Sequence, residues 1–236
     1  MQPYLYPYGG YFRLIDAVDA FVVFDCVQFP RRGRVHRVEV PGADGRPTWL
    51  TLPLGYHPRD ARIADLAFAS GARAELDARL ARLPWYRTAS GPGADAVRRH
   101  LAGSLDDVVG FLVEGLRLVC ALAGIATPIH RSSELGLDPA LRGQERVVAV
   151  AAAHQAKVYV NAPGGTDLYD PARFAAAGMA LRFLAPYDGT LRHLLPAVMT
   201  RQPDQVAADL RGGARLLPPP ARPAPAGGAA GDGDAA

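Results

Sequence analysis

Polar and titratable side chains stand at the ends of several strand-like segments of this 236-residue chain. Open α/β sheets place their ligands at such strand ends. Asp25 and His36 are the candidates for acid–base catalysis, since a carboxylate and an imidazole can take up and release a proton. The candidates for substrate binding carry hydrogen-bonding side chains or open backbone groups: Gln2, Tyr4, Gly10, Tyr11, Gln28, Arg37, Ser132, Ser133, Asn161, Gly165 and Tyr169. If these residues converge, they form a small-molecule pocket with acid–base capacity.

The stretch QPYLYPYGGYF, residues 2–12, combines four tyrosines, two prolines and two glycines. Proline restricts φ and Gly9-Gly10 permits close backbone approach, so we predict a rigid loop that leads into a helix. The free N–H groups of a helix start suit an anionic group. A surface turn packed on its own aromatic rings is the alternative, and no complete phosphate-loop motif decides between the two.

A second segment repeats this architecture. A predicted strand at 158–160 is followed by a Pro-Gly-Gly loop at 161–165, a tyrosine at 169 and a helix from 171. Two such loops at neighbouring strand ends predict a ligand crevice.

Two further groups have more than one interpretation. Arg31, Arg32, Arg34 and Arg37 lie close together before a predicted hairpin, where they form either a solvated loop or part of an anion site. The pair 132–133 either caps the next element or binds a ligand.

The hydrophobic periodicity predicts alternating helices and strands. Predicted helices cover 11–18, 72–83, 95–101, 105–123, 144–154, 171–177, 191–199 and 203–210. Predicted strands cover 20–24, 63–68, 158–160 and 179–184, with a hairpin at 35–52 and a short strand that runs into a polar turn within 128–135. Ser104 and Gly124 are the expected caps of the longest helix. We expect one Rossmann-like, three-layer α/β domain over 1–211 with a mostly parallel sheet, and a disordered Pro/Ala/Gly-rich tail over 212–236.

Composition restricts the class of protein. Lys157 is the only lysine, and we attribute the arginine-rich composition to a GC-rich genome, so the pI of about 9.0 is not taken as a nucleic-acid signal. Cys26 and Cys120 are expected to be buried free thiols in a cytoplasmic protein without a membrane span. The six histidines have no zinc-ligand spacing, and no GxSxG elbow is present, so we expect no metal signature and no triad hydrolase.

With these motifs in order, the chain resembles the WbqC-like family of bacterial proteins from residue 2 to about 188. Five motifs carry the resemblance. The first is residues 2–12, here called the QP loop, and the others are D-x-F-V-x-x-D-x-V-Q-F over 19–29, W-L-T-L-P-L over 49–54, I-x-x-S-S-E-L over 129–135 and Y-V-N-x-x-G-G-x-x-L-Y over 159–169.

Members of this family occur near genes for the biosynthesis of O-antigen, other surface polysaccharides or natural products, and they are labelled glycyl or aminoacyl transferases. The resemblance therefore implies a role in such a pathway. It implies an acyl or aminoacyl transfer to an amine, with a small-molecule substrate and a nucleotide-linked or aminoacyl donor. Nucleic acid is expected as a partner only if tRNA is that donor, and the resemblance leaves the cofactor unknown. The alternative is a non-catalytic or degenerate small-molecule or nucleotide-binding protein of the same fold.

The chain departs from the family pattern at three places, and the first and the last of them favour that alternative. Relatives have a strand before the QP loop, which leads us to expect either a misassigned start or a missing sheet edge here. His36-Arg37 replaces Asn-Arg, so only the arginine carries over. After Tyr187 the chain reads Asp188-Gly189, and its last packed helix, LLPAVMT, lacks the aspartate of the relatives. A more distant analogy links the first loop to nucleotidylyltransferases, whose loop histidines are absent.

Overall fold

The computed structural model describes residues 1–220, and in this part of the chain it is a mixed α/β protein. The helices are α1 (Gly9–Asp16), α2 (Ala72–Ala81), α3 (Pro84–Thr88), α4 (Pro92–Leu101), α5 (Val108–Ala123), α6 (Gly143–Ala153), α7 (Pro171–Ala176), α8 (Leu194–Thr200) and α9 (Pro203–Arg211). The strands are β1 (Phe21–Val23), β2 (Arg37–Pro41), β3 (Pro47–Thr51), β4 (Ile129–Arg131), β5 (Val158–Asn161), β6 (Ala180–Leu184) and β7 (Leu216–Leu217). Short 3₁₀ turns cover Ile63–Asp65, Ser132–Leu135 and Pro163–Leu168.

Helix α5 is the centre of the main hydrophobic core. It packs against α4 and α9, while α9 also contacts α1 and α4 also contacts α8. Asp107, not the predicted Ser104, caps its start, with the carboxylate accepting from the Val109 N–H at 3.0 Å. Gly124 ends the helix in the left-handed region at φ 67°, as predicted.

The strands form three small sheets in the described part of the chain. β1 pairs with β4 and β5 pairs with β6, both in parallel. β2 and β3 form the predicted antiparallel hairpin, with Val38 opposite Leu50 on its buried face. The mixed α/β class is thus confirmed, whereas a continuous, Rossmann-like three-layer arrangement and the division of the chain at residue 211 stay predictions.

Three segments differ from the sequence-based expectation. Helix α3 (Pro84–Thr88) follows the predicted end of α2, where no helix was expected. The predicted strand 63–68 is a 3₁₀ turn followed by an isolated bridge between Leu54 and Phe68, because one turn suffices to bury Ile63. The first part of the predicted tail, from 212, contains β7, which pairs antiparallel with β6. Without β7, the backbone N–H and C=O groups along this edge of β6 would lack partners, and Leu216–Leu217 supplies them. Residues 221–236 lie outside the described residues.

A second, smaller core lies under the sheet that contains β5 and β6. It consists of apolar side chains from α6, α7 and β6: Val147, Ala151, Phe174, Met179, Leu181 and Phe183. The β5–β6 pair therefore has its own packing partners, separate from those of the β1–β4 pair.

Both cysteines are free and buried, as predicted. Burial raises the pKa of the Cys120 thiol to about 12, so this thiol stays protonated at neutral pH. Within residues 1–220, no helix has both the length and the apolar character that a membrane crossing needs.

Candidate functional site

A crevice with a volume of about 960 Å³ runs between strands β1 and β5. Its walls are mostly apolar and come from both strands and the helices beside them: Leu14, Ala17, Val18, Ala20, Phe21, Val22, Phe24, Val27, Val147, Val150, Ala151, Ala156, Val158, Val160, Ala162, Leu168 and Leu216. This volume lies within the range of small-molecule sites in proteins.

The backbone at Met1 lies along the β1 side of this crevice. Its amino group donates to the Val22 carbonyl at 2.9 Å, and its carbonyl accepts from the Phe24 N–H at 2.6 Å. This is the hydrogen-bond pattern of a parallel strand. The loop that starts at Gln2 is therefore attached directly to the free edge of β1.

Five of the predicted binding residues line the crevice together: Gln2, Tyr4, Asn161, Gly165 and Tyr169. They come from the two loops whose similarity predicted a shared site.

The contacts at the end of β5 fix the position of the Asn161 side chain. Asn161 is buried, and its side-chain oxygen accepts from the Ala162 N–H at 2.8 Å. Gly165 lies directly against the Asn161 amide, and a Cβ atom at this position would overlap the Asn161 Nδ2 atom. The glycine is therefore needed to keep this amide in its position beside the crevice.

Two tyrosines of the crevice lining pack on each other. The Tyr159 and Tyr169 rings meet edge to face with 5.9 Å between centroids. Burial raises the pKa of the Tyr159 phenol well above its usual value. On the opposite wall, burial also raises the pKa of Tyr4, while the charge of Arg34 acts in the other direction. The phenols of Tyr4 and Tyr159 are thus neutral hydrogen-bonding groups at pH 7.

His154 lines the crevice but was missed by the sequence-based reasoning. Its Nε2 atom is buried without a hydrogen-bond partner among the described residues. Burial and the neighbouring His130, whose ring lies 4.9 Å away, lower the pKa of His154. The only available signal was its place between a predicted helix and the β5 strand, which many histidines share.

Asp25, a predicted catalytic residue, is fully buried beside the crevice and not among its lining residues. Its carboxylate accepts hydrogen bonds from Ser132 Oγ at 2.9 Å, from the Ser133 N–H at 2.9 Å and from Ser133 Oγ at 2.6 Å. Arg131 Nε adds a fourth at 3.0 Å. The predicted residues Ser132 and Ser133 thus bind Asp25, and this cluster joins the carboxyl ends of β1 and β4.

His36, the other predicted catalytic residue, lies before the hairpin and does not line the crevice. Its ring packs edge to face on Phe29 with 5.1 Å between centroids, and its Nδ1 atom is buried without a partner in the described part of the chain. Burial and the charges of Arg37, His57 and Arg79 lower the pKa of His36 to about 4. The imidazole is therefore neutral at pH 7.

Gln28 and Arg37 also lie away from the crevice. The Gln28 amide donates to the Arg59 carbonyl at 2.9 Å. Arg37 donates to the carbonyls of Gly33 and Arg32 at 3.1 and 2.5 Å, and its guanidinium lies over the Trp49 ring at 4.4 Å. In this structure both side chains brace loops around the hairpin.

The predicted anion site at the start of α1 is covered by protein. The Gly9 N–H donates to the Leu191 carbonyl at 2.8 Å. A Cβ atom on Gly10 would lie 2.8 Å from Tyr187 Cβ, so this glycine allows close packing of the helix start. Tyr11 is buried, and its hydroxyl donates to the Gln2 carbonyl at 2.7 Å. Gly10 and Tyr11 therefore support the first loop by packing and do not line the crevice.

The chain is a mixed α/β protein with a ligand-sized crevice between two pairs of parallel strands. Residues 2–190 match the model of the WbqC-like protein family, and the chain belongs to this family. No curated protein and no solved structure matches the chain significantly. In residues 1–220, no three His, Cys, Asp or Glu side chains are grouped so that they could hold a metal ion.

Proposed function

We propose that this protein is a group transferase that binds a small biosynthetic molecule in the β1–β5 crevice and transfers an acyl or aminoacyl group to its amine. The observation that carries the proposal is the composition of the crevice. Apolar walls lie along both strands, and the Asn161 amide lies with Gly165 and Tyr169 where β5 ends. Apolar walls with a few convergent polar groups are the usual composition of a small-molecule site.

In this proposal the amine nitrogen of the acceptor attacks the carbonyl carbon of an ester or thioester donor. The new C–N bond replaces the C–O or C–S bond, the amine loses a proton to a base, and the leaving alcohol or thiol takes up a proton. Asn161 and the phenol of Tyr4 would orient the substrate through hydrogen bonds. His154 is the neutral imidazole that faces the crevice, so it is the base best placed for the amine proton.

Asp25 and His36 have a different place in this mechanism. Neither lines the crevice, so proton transfer by either would require a rearrangement when the substrate binds. We propose that Asp25 acts as a positioning residue, since its hydrogen bonds with Ser132 and Ser133 fix the end of β1.

Binding without catalysis is the second candidate function. It is favoured by the four hydrogen bonds at the Asp25 carboxylate, which leave this buried group no open side toward a substrate. The two candidates share the crevice and differ only in whether a product forms.

A thermal-shift screen of the full chain tests the crevice. The ligands are nucleotides, nucleotide sugars and aminoacyl thioesters. A ligand present at 100 times its Kd should stabilise the protein by about 2.7 kcal/mol, which corresponds to roughly 5–10 °C in Tm. For each ligand that stabilises the protein, incubation with an amine acceptor and mass spectrometry of the products then separates transfer from binding.

Two matched glycine variants show where the ligand binds. Gly164 lines the crevice, Gly71 precedes α2, and a Cβ atom would meet nothing within 4 Å at either position. Gly164→Leu should abolish the ligand-induced shift, whereas Gly71→Leu should retain it. Equal shifts in the two variants, or no shift for any ligand with the unmodified chain, would refute a crevice site.

We also propose the finer assignments that follow from the family: a bacterial cytoplasmic protein of O-antigen, other polysaccharide or natural-product biosynthesis with a nucleotide-linked or aminoacyl donor. The two buried free thiols support a reducing compartment.

A further inference from the structure

The basic residues of this chain are unevenly distributed. Residues 28–65 contain seven arginines and four carboxylate residues, a net charge of +3, which equals the net charge of the whole chain. The remaining residues contain 19 cations and 19 acids. A uniform, genome-driven arginine content does not explain this clustering.

The structure joins these arginines into one surface, here called the hairpin surface, formed by residues 28–37, 46–49 and 56–62. Arg31 Nη2 donates to the His57 carbonyl at 3.2 Å. Gln28 pairs with Arg62 in an isolated bridge. The loop before the hairpin and the loop after it therefore lie side by side.

Most of the charge on this surface is uncompensated. Among residues 1–220, no carboxylate oxygen lies within 4.0 Å of the guanidinium groups of Arg31, Arg32, Arg34, Arg37 or Arg59. Four of these five side chains are exposed, and Arg37 is partly buried. Such a surface attracts a polyanion.

Exposed aromatic rings lie among these cations. The Trp49 side chain is 41% exposed on the outer face of β3, with the guanidinium groups of Arg34 and Arg37 at 5.3 and 4.4 Å from its ring centre. Tyr56 is 99% exposed in the adjoining loop. An anionic membrane needs only the charges, whereas a single-stranded polynucleotide also needs flat rings on which its bases stack.

We propose that the hairpin surface binds a single-stranded polynucleotide, with the arginines at its phosphates and Trp49 stacked on a base. The surface adjoins the crevice, since the Arg34 carbonyl accepts from the Leu5 N–H at 3.2 Å next to Tyr4. A bound strand could thus bring its end to the crevice. Binding itself does not depend on the proposed transferase activity.

Fluorescence anisotropy with labelled 12-nucleotide oligo(U) and oligo(dT) tests the proposal on the full chain. Arg34→Ala should weaken binding and reduce the slope of log K against log salt by about 0.7, because one fewer phosphate is neutralised. Trp49→Ala should weaken binding roughly tenfold. Trp49→Phe should recover much of this loss, because it keeps an aromatic face. Preference for oligo(U) or oligo(dT) identifies the source of the strand.

A matched control and a second signal make the test specific. Arg173 is exposed in α7, outside the hairpin surface, and Arg173→Ala should leave both affinity and slope unchanged. Tryptophan fluorescence should fall on binding in the unmodified chain and not in Trp49→Phe. Equal losses in the Arg34 and Arg173 variants, unquenched fluorescence, or binding to phosphatidylglycerol vesicles without oligonucleotide binding would each overturn the proposal.

Discussion

Replacing Asp25 with asparagine should destabilise the fold, because this carboxylate joins two strands that are more than 100 positions apart in the chain. The side chain is 0% exposed and accepts four hydrogen bonds from Arg131, Ser132 and Ser133. Asparagine has the same shape but presents an NH₂ group in place of one oxygen. In either orientation of the amide, one obligate donor, the Ser133 N–H or the Arg131 Nε–H, would then face a donor.

The expected loss follows from these contacts. Leaving one partner of a buried ion pair uncompensated costs roughly 3–5 kcal/mol. Arg131 is only partly buried and keeps its second contact with Asp107 at 3.0 Å, so the low end of this range applies. We therefore expect a loss of about 3 kcal/mol in the free energy of unfolding, or roughly 6–12 °C in Tm.

The assay is urea unfolding followed by circular dichroism at pH 7, with Asp107→Asn as the matched control. Asp107 contacts the same arginine, but its side chain is 52% exposed, and asparagine can still cap α5. The control should lose less than about 1 kcal/mol. If Asp25→Asn lost no more than the control and yet abolished product formation, Asp25 would be a catalytic base and the structural interpretation would be wrong.

Three further perturbations test other parts of the structure. The pKa of His36 falls from 6.5 to about 4 on folding, so the free energy of unfolding decreases as pH falls from about 6.5 to 4. His36→Leu should remove about 1–2 kcal/mol of this decrease, after allowance for solvent screening, in unfolding experiments repeated across this pH range. Gly165→Ala should displace the Asn161 amide and weaken ligand binding at least tenfold by calorimetry, and unchanged affinity would contradict the role of this amide. Gly93→Ala would bring a Cβ atom into the Val198 carbonyl where α4 crosses α8, so thermal unfolding should show a loss of roughly 1–3 kcal/mol.

The pattern of local signals predicted most elements of the fold. The apolar periodicity located α5, and the glycine at 124 marked its end because a left-handed residue is easiest for glycine. The repeated Pro-Gly-Gly loop after β5 predicted the shared crevice. Ser104 was the wrong cap because Asp107, three residues later, competes for the same N–H groups.

The α/β class, the family and the two loops that form the crevice could be predicted from residue types, since these features depend on residues close together in the chain. Which polar residues face that crevice depends on contacts between distant parts of the folded chain. Asp25 is bound by two serines about 107 positions away, and Arg37 lies on Trp49 across the hairpin. Side-chain direction depends on such distant partners, because a buried charge or an exposed guanidinium takes whichever donors, acceptors or rings the folded chain brings within reach.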